Sequence, residues 1–167
     1  MYQLKEDGSL DTLPVFKKEA LMDLANVNRP RQKGGVLQIS HDGKYLYAAN
    51  RADKTMRVNT KDVFAGGENN IAVFAIDQQT GEPTLIQHID THGIEARTFK
   101  IDPTGKLLVI ANQKSIWLRE GDKLNFVRSN LALFQIAKNG TLQFIRKYEV
   151  EDTRKWLLWM DIYSGAT

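Results

Sequence analysis

A hairpin written twice constrains the fold of this 167-residue chain more than any other feature. One copy is Thr98-Phe99-Lys100-Ile101-Asp102-Pro103-Thr104-Gly105-Lys106-Leu107-Leu108-Val109-Ile110-Ala111-Asn112: a strand, a tight turn and an apolar strand ending on Asn. The other is Leu37-Gln38-Ile39-Ser40-His41-Asp42-Gly43-Lys44-Tyr45-Leu46-Tyr47-Ala48-Ala49-Asn50. Turn glycines Gly43 and Gly105 are separated by 62 positions, and so are Asn50 and Asn112. Two copies in register make a repeat protein.

The rest of the chain falls into place around them. After each hairpin comes an insertion, then a third strand (Asn70–Asp77 and Asn130–Ile136), a turn at Gly81 or Gly140, and a fourth strand near 84–89 and 142–148. Four short strands per unit, with β-branched and aromatic residues in alternation, are the pattern of a β-propeller blade. The expected fold is all-β: a partial propeller with two full blades and two incomplete ones, in a single domain over 1–167. Residues 1–15 read as the end of a preceding blade, because Tyr2–Leu10 repeats Phe134–Leu142. Residues 16–35 read as a loop marked by Asn28, Pro30, Gly34 and Gly35, with a turn or two of helix between Lys17 and Leu24. The first full blade spans 36–90 with an insertion at 51–69, and the second spans 97–148 with one at 113–129. The apolar run within 156–163 is expected to be the first strand of a further blade.

In a four-stranded meander the end of the second strand, the following loop and the link to the next unit lie at one end. Asn50, Arg51, Asn112, Gln113, both insertions and the 90–96 link should therefore share one rim. The Gly43 and Gly105 turns should face the other way.

Composition narrows the function classes. Net charge is only +3, and the cations are scattered, with Arg29, Arg31 and Lys33 as the densest cluster, so no nucleic-acid partner is expected. No run approaches the roughly 18 apolar residues of a spanning helix, and no membrane partner is expected. The chain has no cysteine, which excludes disulfides and thiolate metal sites and leaves the compartment open between cytoplasm and periplasm. Three separated histidines without clustered carboxylates give no metal-ligand spacing. No phosphate loop, nucleophile elbow or dinucleotide fingerprint occurs, so no cofactor is expected.

Three ordered motifs resemble the lactonase family of seven-bladed propellers, which includes 6-phosphogluconolactonases and carboxymuconate-lactonising enzymes. They are Ile39–Arg51, Asn70–Asp77 with Thr80-Gly81, and Gly93–Gln113. The resemblance implies that the chain corresponds to the C-terminal blades of a longer ring. It implies hydrolysis of a sugar or organic-acid lactone, with a lactonising isomerase as the second enzymatic option. It also implies a small-molecule lactone or anionic sugar acid as ligand, and the remaining blades or a second copy of the chain as partner. The family's Glu-x-His pair is replaced here by Val36 and Gln38, and of its Pro-Arg-His motif only Arg97 is kept. A shortened chain of this kind is expected to be inactive alone, and a non-catalytic binding module using the rim insertions is the alternative.

Arg97 precedes an inner strand at the insertion-bearing rim, where a guanidinium can hold a carboxylate or stabilise an oxyanion. Arg51 on the same rim offers a second cation. Glu95 and His92, in the link to the second blade, are candidates to activate water. Asn50, Asn112 and Gln113 are candidate substrate-binding residues, although an Asn recurring in every unit also suits capping of the adjacent turn.

Overall fold

The computed structural model describes residues 1–26, 29–150 and 157–163. Its first blade consists of β1 (Gln32–Ile39), β2 (Tyr45–Ala52), β5 (Asn70–Ile76) and β6 (Pro83–Asp90), paired antiparallel in that order. The second consists of β7 (Ile94–Ile101), β8 (Leu107–Lys114), β11 (Asn130–Ile136) and β12 (Leu142–Glu149), in the same antiparallel meander. The all-β partial propeller expected from the repeat is what the chain forms.

Turn chemistry holds each hairpin. The Asp102 carboxylate accepts the backbone N–H groups of Lys106 and Leu107, both at 2.8 Å. Asp42 does the equivalent for Lys44 at 3.2 Å, and Gly43 and Gly105 supply the left-handed backbone.

The two blades stack face to face over one core. Tyr47, Ala49, Ile71 and Val73 of the first blade meet Phe99, Ile101, Leu108, Ile110, Ala132 and Phe134 of the second. Alternation along the strands explains the choice: odd positions of β2 face the second blade, and Leu46, with Ala72 and Phe74, faces away. Polar groups complete the seam. The Tyr47 hydroxyl donates to the Gly140 carbonyl at 3.0 Å, and the Gln87 amide donates to the Leu142 carbonyl at 2.9 Å while accepting its N–H at 2.7 Å.

Several expectations are corrected. Residues 17–24 form no helix; Ala20 packs on the outer face of the first blade beside Leu46, Ala72 and Phe74. The Ala20 carbonyl accepts the Asn50 amide at 2.5 Å and lies 2.9 Å from His88 Nε2, so tertiary partners hold this segment extended. β1 begins at Gln32 rather than Val36, because Gln32, Lys33 and Gly34 pair with Ala52, Arg51 and Asn50 before a bulge reached by Leu37. Residues 157–163 carry no strand, and Leu158, Trp159 and Tyr163 are exposed. Asn28 and Trp156 lie outside the described residues.

The insertions are not plain loops. The first forms a hairpin of β3 (Thr55–Val58) and β4 (Lys61–Phe64), and the second one of β9 (Ile116–Glu120) and β10 (Lys123–Val127). A parallel bridge between Val63 and Trp117 joins them into a third four-stranded sheet across the rim. Trp117 anchors it, with its ring 5.1 Å from Phe126 and the Lys61 ammonium 3.5 Å above the ring centre.

Candidate functional site

β1 and β7 approach closely at the insertion-bearing end. A Cβ placed on Gly35 would come within 2.7 Å of the Ala96 carbonyl and 2.9 Å of the Ala49 methyl, so only glycine permits this approach. Both strands bulge here, β1 between Gly34 and Leu37 and β7 between Ala96 and Thr98. Bulges re-aim side chains. The residue re-aimed in β7 is Arg97, which is exposed between buried Ala96 and Thr98.

Arg97 opens onto a crevice of about 310 Å³, shared with Arg51, Gly35, Val36, Leu158 and Trp159. Arg51 is fixed from two sides: its Nε donates to the Gly34 carbonyl at 2.9 Å, and its Nη1 pairs with Glu95. Glu95 is buried, adopts the left-handed backbone conformation (φ 62°), and donates its N–H to the Asn69 side-chain oxygen at 2.9 Å. A left-handed non-glycine held by surrounding contacts stores backbone strain of the kind found at functional sites. The Glu95 Oε1 also lies 3.7 Å from Lys33 Nζ, and Oε2 is buried without a partner.

Behind this pair stands Asp53, buried and contacted by Lys33 at 3.0 Å and Arg31 at 3.2 Å. Its carbonyl accepts the Lys114 ammonium at 2.8 Å. Burial acts to raise the Asp53 pKa, but the hydrogen bond and charge of Lys33, with Arg31 and Lys114, outweigh it and hold the carboxyl below its ordinary value. Arg31, Lys33, Arg51 and Lys114 thus contact the two acidic residues, and Arg97 adds a fifth cation in the crevice it shares with Arg51, leaving this part of the rim cationic. Chemically, one guanidinium is locked and a second is exposed beside it, an arrangement suited to an anion or a developing oxyanion.

The other sequence candidates are distributed around this site. Asn50 and Asn112 occupy equivalent places in the two blades. Each side-chain amide donates to a cross-strand asparagine, Asn70 at 2.8 Å and Asn130 at 2.9 Å, and to a backbone carbonyl, of Ala20 and Thr91 respectively. Their amide nitrogens are therefore engaged within the blade ends. Gln113 is buried, with neither amide atom partnered, and is not among the residues of the Arg97 crevice. His92 is also absent from that crevice; its ring stacks on Phe144 at 3.7 Å. Lys33, Asp53, Lys114 and Trp159 were not read as site residues from sequence. The Arg29-Arg31-Lys33 cluster was the available signal, but its partners lie in other elements.

Comparison with known proteins agrees with this architecture. The chain is 39% identical over 79 residues to a 6-phosphogluconolactonase of Formosa agariphila, covering 47% of this chain and 19% of that protein. It is 31% identical over 93 residues to the 6-phosphogluconolactonase of Bacillus subtilis, covering 54% and 22%. A crystal structure of a Lactobacillus plantarum protein superposes with a TM-score of 0.60 at 27% identity, covering 87% of this chain and 33% of that one. The chain thus spans about a fifth of the length of these curated relatives. Residues 3–119 match the family described as lactonase, 7-bladed beta-propeller, and the chain belongs to that family.

Proposed function

We propose that this chain supplies one sector of a lactone-hydrolysing site, with Arg97 as the residue that touches substrate. The observation that carries this reading is the exposed Arg97 guanidinium, turned by a strand bulge into a crevice beside the locked Arg51. The chain's likeness to two 6-phosphogluconolactonases supports a sugar lactone carrying an anionic group as the substrate class. In the reaction, water oxygen bonds to the lactone carbonyl carbon. The ring C–O bond then breaks, and the departing alkoxide takes up the proton given up by the attacking water, leaving a hydroxy acid. Arg97 stabilises the carbonyl oxygen as it becomes an oxyanion, or holds the substrate's anionic group. In this reading Glu95 fixes Arg51, and the Arg31, Lys33 and Lys114 charges raise the local concentration of anionic substrate.

Hydrolysis of a phosphorylated sugar δ-lactone by the chain joined to the remaining blades, followed by proton release, tests the proposal. Replacing Arg97 by Ala should lower kcat/KM by roughly a hundredfold or more, the usual effect of removing an oxyanion donor. Unchanged kcat/KM in Arg97→Ala removes the residue from the reaction. A second reading, a non-catalytic binding module, is favoured by the union of both insertions in a sheet that exposes Met56 and Phe126. It expects no lactone hydrolysis with any blade complement.

A further inference from the structure

The insertion sheet and His92 border a second crevice, of about 380 Å³, none of whose lining residues borders the Arg97 crevice. Separate parts of the chain meet there: Phe64 from β4, Leu118 from β9, Val127 from β10, Asp90 from the end of β6, His92 from the β6–β7 link, and Lys147 from β12. Both insertions are needed to build it. Phe64, Leu118 and Val127 form an apolar wall.

His92 is positioned from three directions. Its backbone is left-handed (φ 59°), and its N–H donates to Asp90 Oδ1. Its carbonyl accepts the Asn130 amide at 3.1 Å. The imidazole stacks on Phe144 with the ring planes 28° apart, and about a third of the side chain stays exposed (36%). Lys147 is exposed and forms no ion pair among the described residues.

We propose that this crevice binds a small aromatic acid carrying a ring hydroxyl. The ring lies between the apolar wall and the His92 imidazole, and its carboxylate forms a charge-assisted hydrogen bond with the Lys147 ammonium. The hydroxyl donates to the Asp90 carboxylate. The volume suits one six-membered ring with two substituents. An acid is favoured because Lys147 offers a cation with no ion-pair partner among the described residues, whereas Asp90 already accepts the His92 N–H. An aromatic ring is favoured over a polyol because the wall is apolar. The Asn69 amide, the neighbouring polar side chain, is already bonded to the backbone of Ala52 and Glu95.

Calorimetric titration of the 167-residue chain with 4-hydroxybenzoate, with the His92 imidazole resonances followed by NMR, tests this site. The expected result is saturable one-to-one binding that shifts those resonances. Binding should weaken at least about tenfold in Lys147→Gln, in Phe64→Ala and for the neutral 4-hydroxybenzyl alcohol. Lys147 is exposed, so its substitution leaves the fold intact, as circular dichroism will verify. Arg97→Ala should bind as the parent chain does. Absence of saturable binding, equal affinity for the neutral alcohol, unaltered binding by Lys147→Gln, or loss in Arg97→Ala would each overturn the proposal.

Discussion

Single residues in this chain act mainly by where they bond across the fold, and Glu68 shows the consequence for pH. Its carboxylate accepts the N–H groups of Met22 at 2.7 Å and Asp23 at 3.0 Å, and the Asn70 amide at 2.8 Å, with Arg29 3.1 Å away. Burial acts to raise its pKa, but these donors together bring it from an ordinary 4.5 down to about 2. The folded-state value lies below the unfolded one, so the stabilisation is fully present above pH 4.5 and is lost as pH falls toward 2. Replacing Glu68 by Gln should lower stability at neutral pH and flatten the acid limb of the stability curve between those values, as measured by urea unfolding across pH. An unchanged acid limb would rule out this linkage. Gly140 shows how much of a residue's role is visible locally. The Asn139-Gly140 pair announces a turn that needs left-handed backbone, and Gly140 has φ 79°. That a Cβ there would overlap the Tyr45 ring at 2.1 Å is set by a residue of the other blade.

At the scale of elements, the eight blade strands were legible and the insertion strands were not. Alternation over seven or eight residues with Asp-Gly or Asn-Gly turns marks a blade strand, because one residue in two must enter the core. Thr55–Val58 and Lys61–Phe64 span four residues each, contain three charged side chains, and bury only Val63. Their order comes from pairing with the second insertion, a contact between residues 54 positions apart, Val63 and Trp117, that nothing local announces. An isolated two-stranded hairpin is marginal in water. Replacing residues 55–64 by a short turn should therefore strip amide protection from 116–127 while the blade strands keep theirs, measured by hydrogen exchange. Retained protection in β9 and β10 would show that the two hairpins fold independently.

For the whole molecule, the decisive surface is the seam between blades. Gln87, on the edge strand of the first blade, makes two hydrogen bonds to the backbone of Leu142, itself buried. Ala at this position leaves a buried donor and acceptor unmatched, at a cost of about 1–3 kcal/mol. Gln87→Ala should lower the unfolding midpoint without altering secondary structure. If the blades instead come apart as separate units, two transitions replace one. The same seam assembles the cationic rim, since Arg51 and Asp53 come from the first blade and Glu95 and Lys114 from the second.

The sequence alone determined the two full blades: their strand order and shared rim follow from a 62-residue repeat and a period of two, both local properties of the chain. It also singled out Arg97 and Arg51, through a family resemblance and their place at strand ends. Only the tertiary structure decided their surroundings. Glu95 pairs with Arg51, His92 stacks on an aromatic ring beside the insertion sheet, and Lys33 and Asp53 join the site from other elements. The physical reason is that pairing, burial and charge at this rim arise between blades, where residues distant in the chain meet. Periodicity reports only which face of its own strand a side chain occupies.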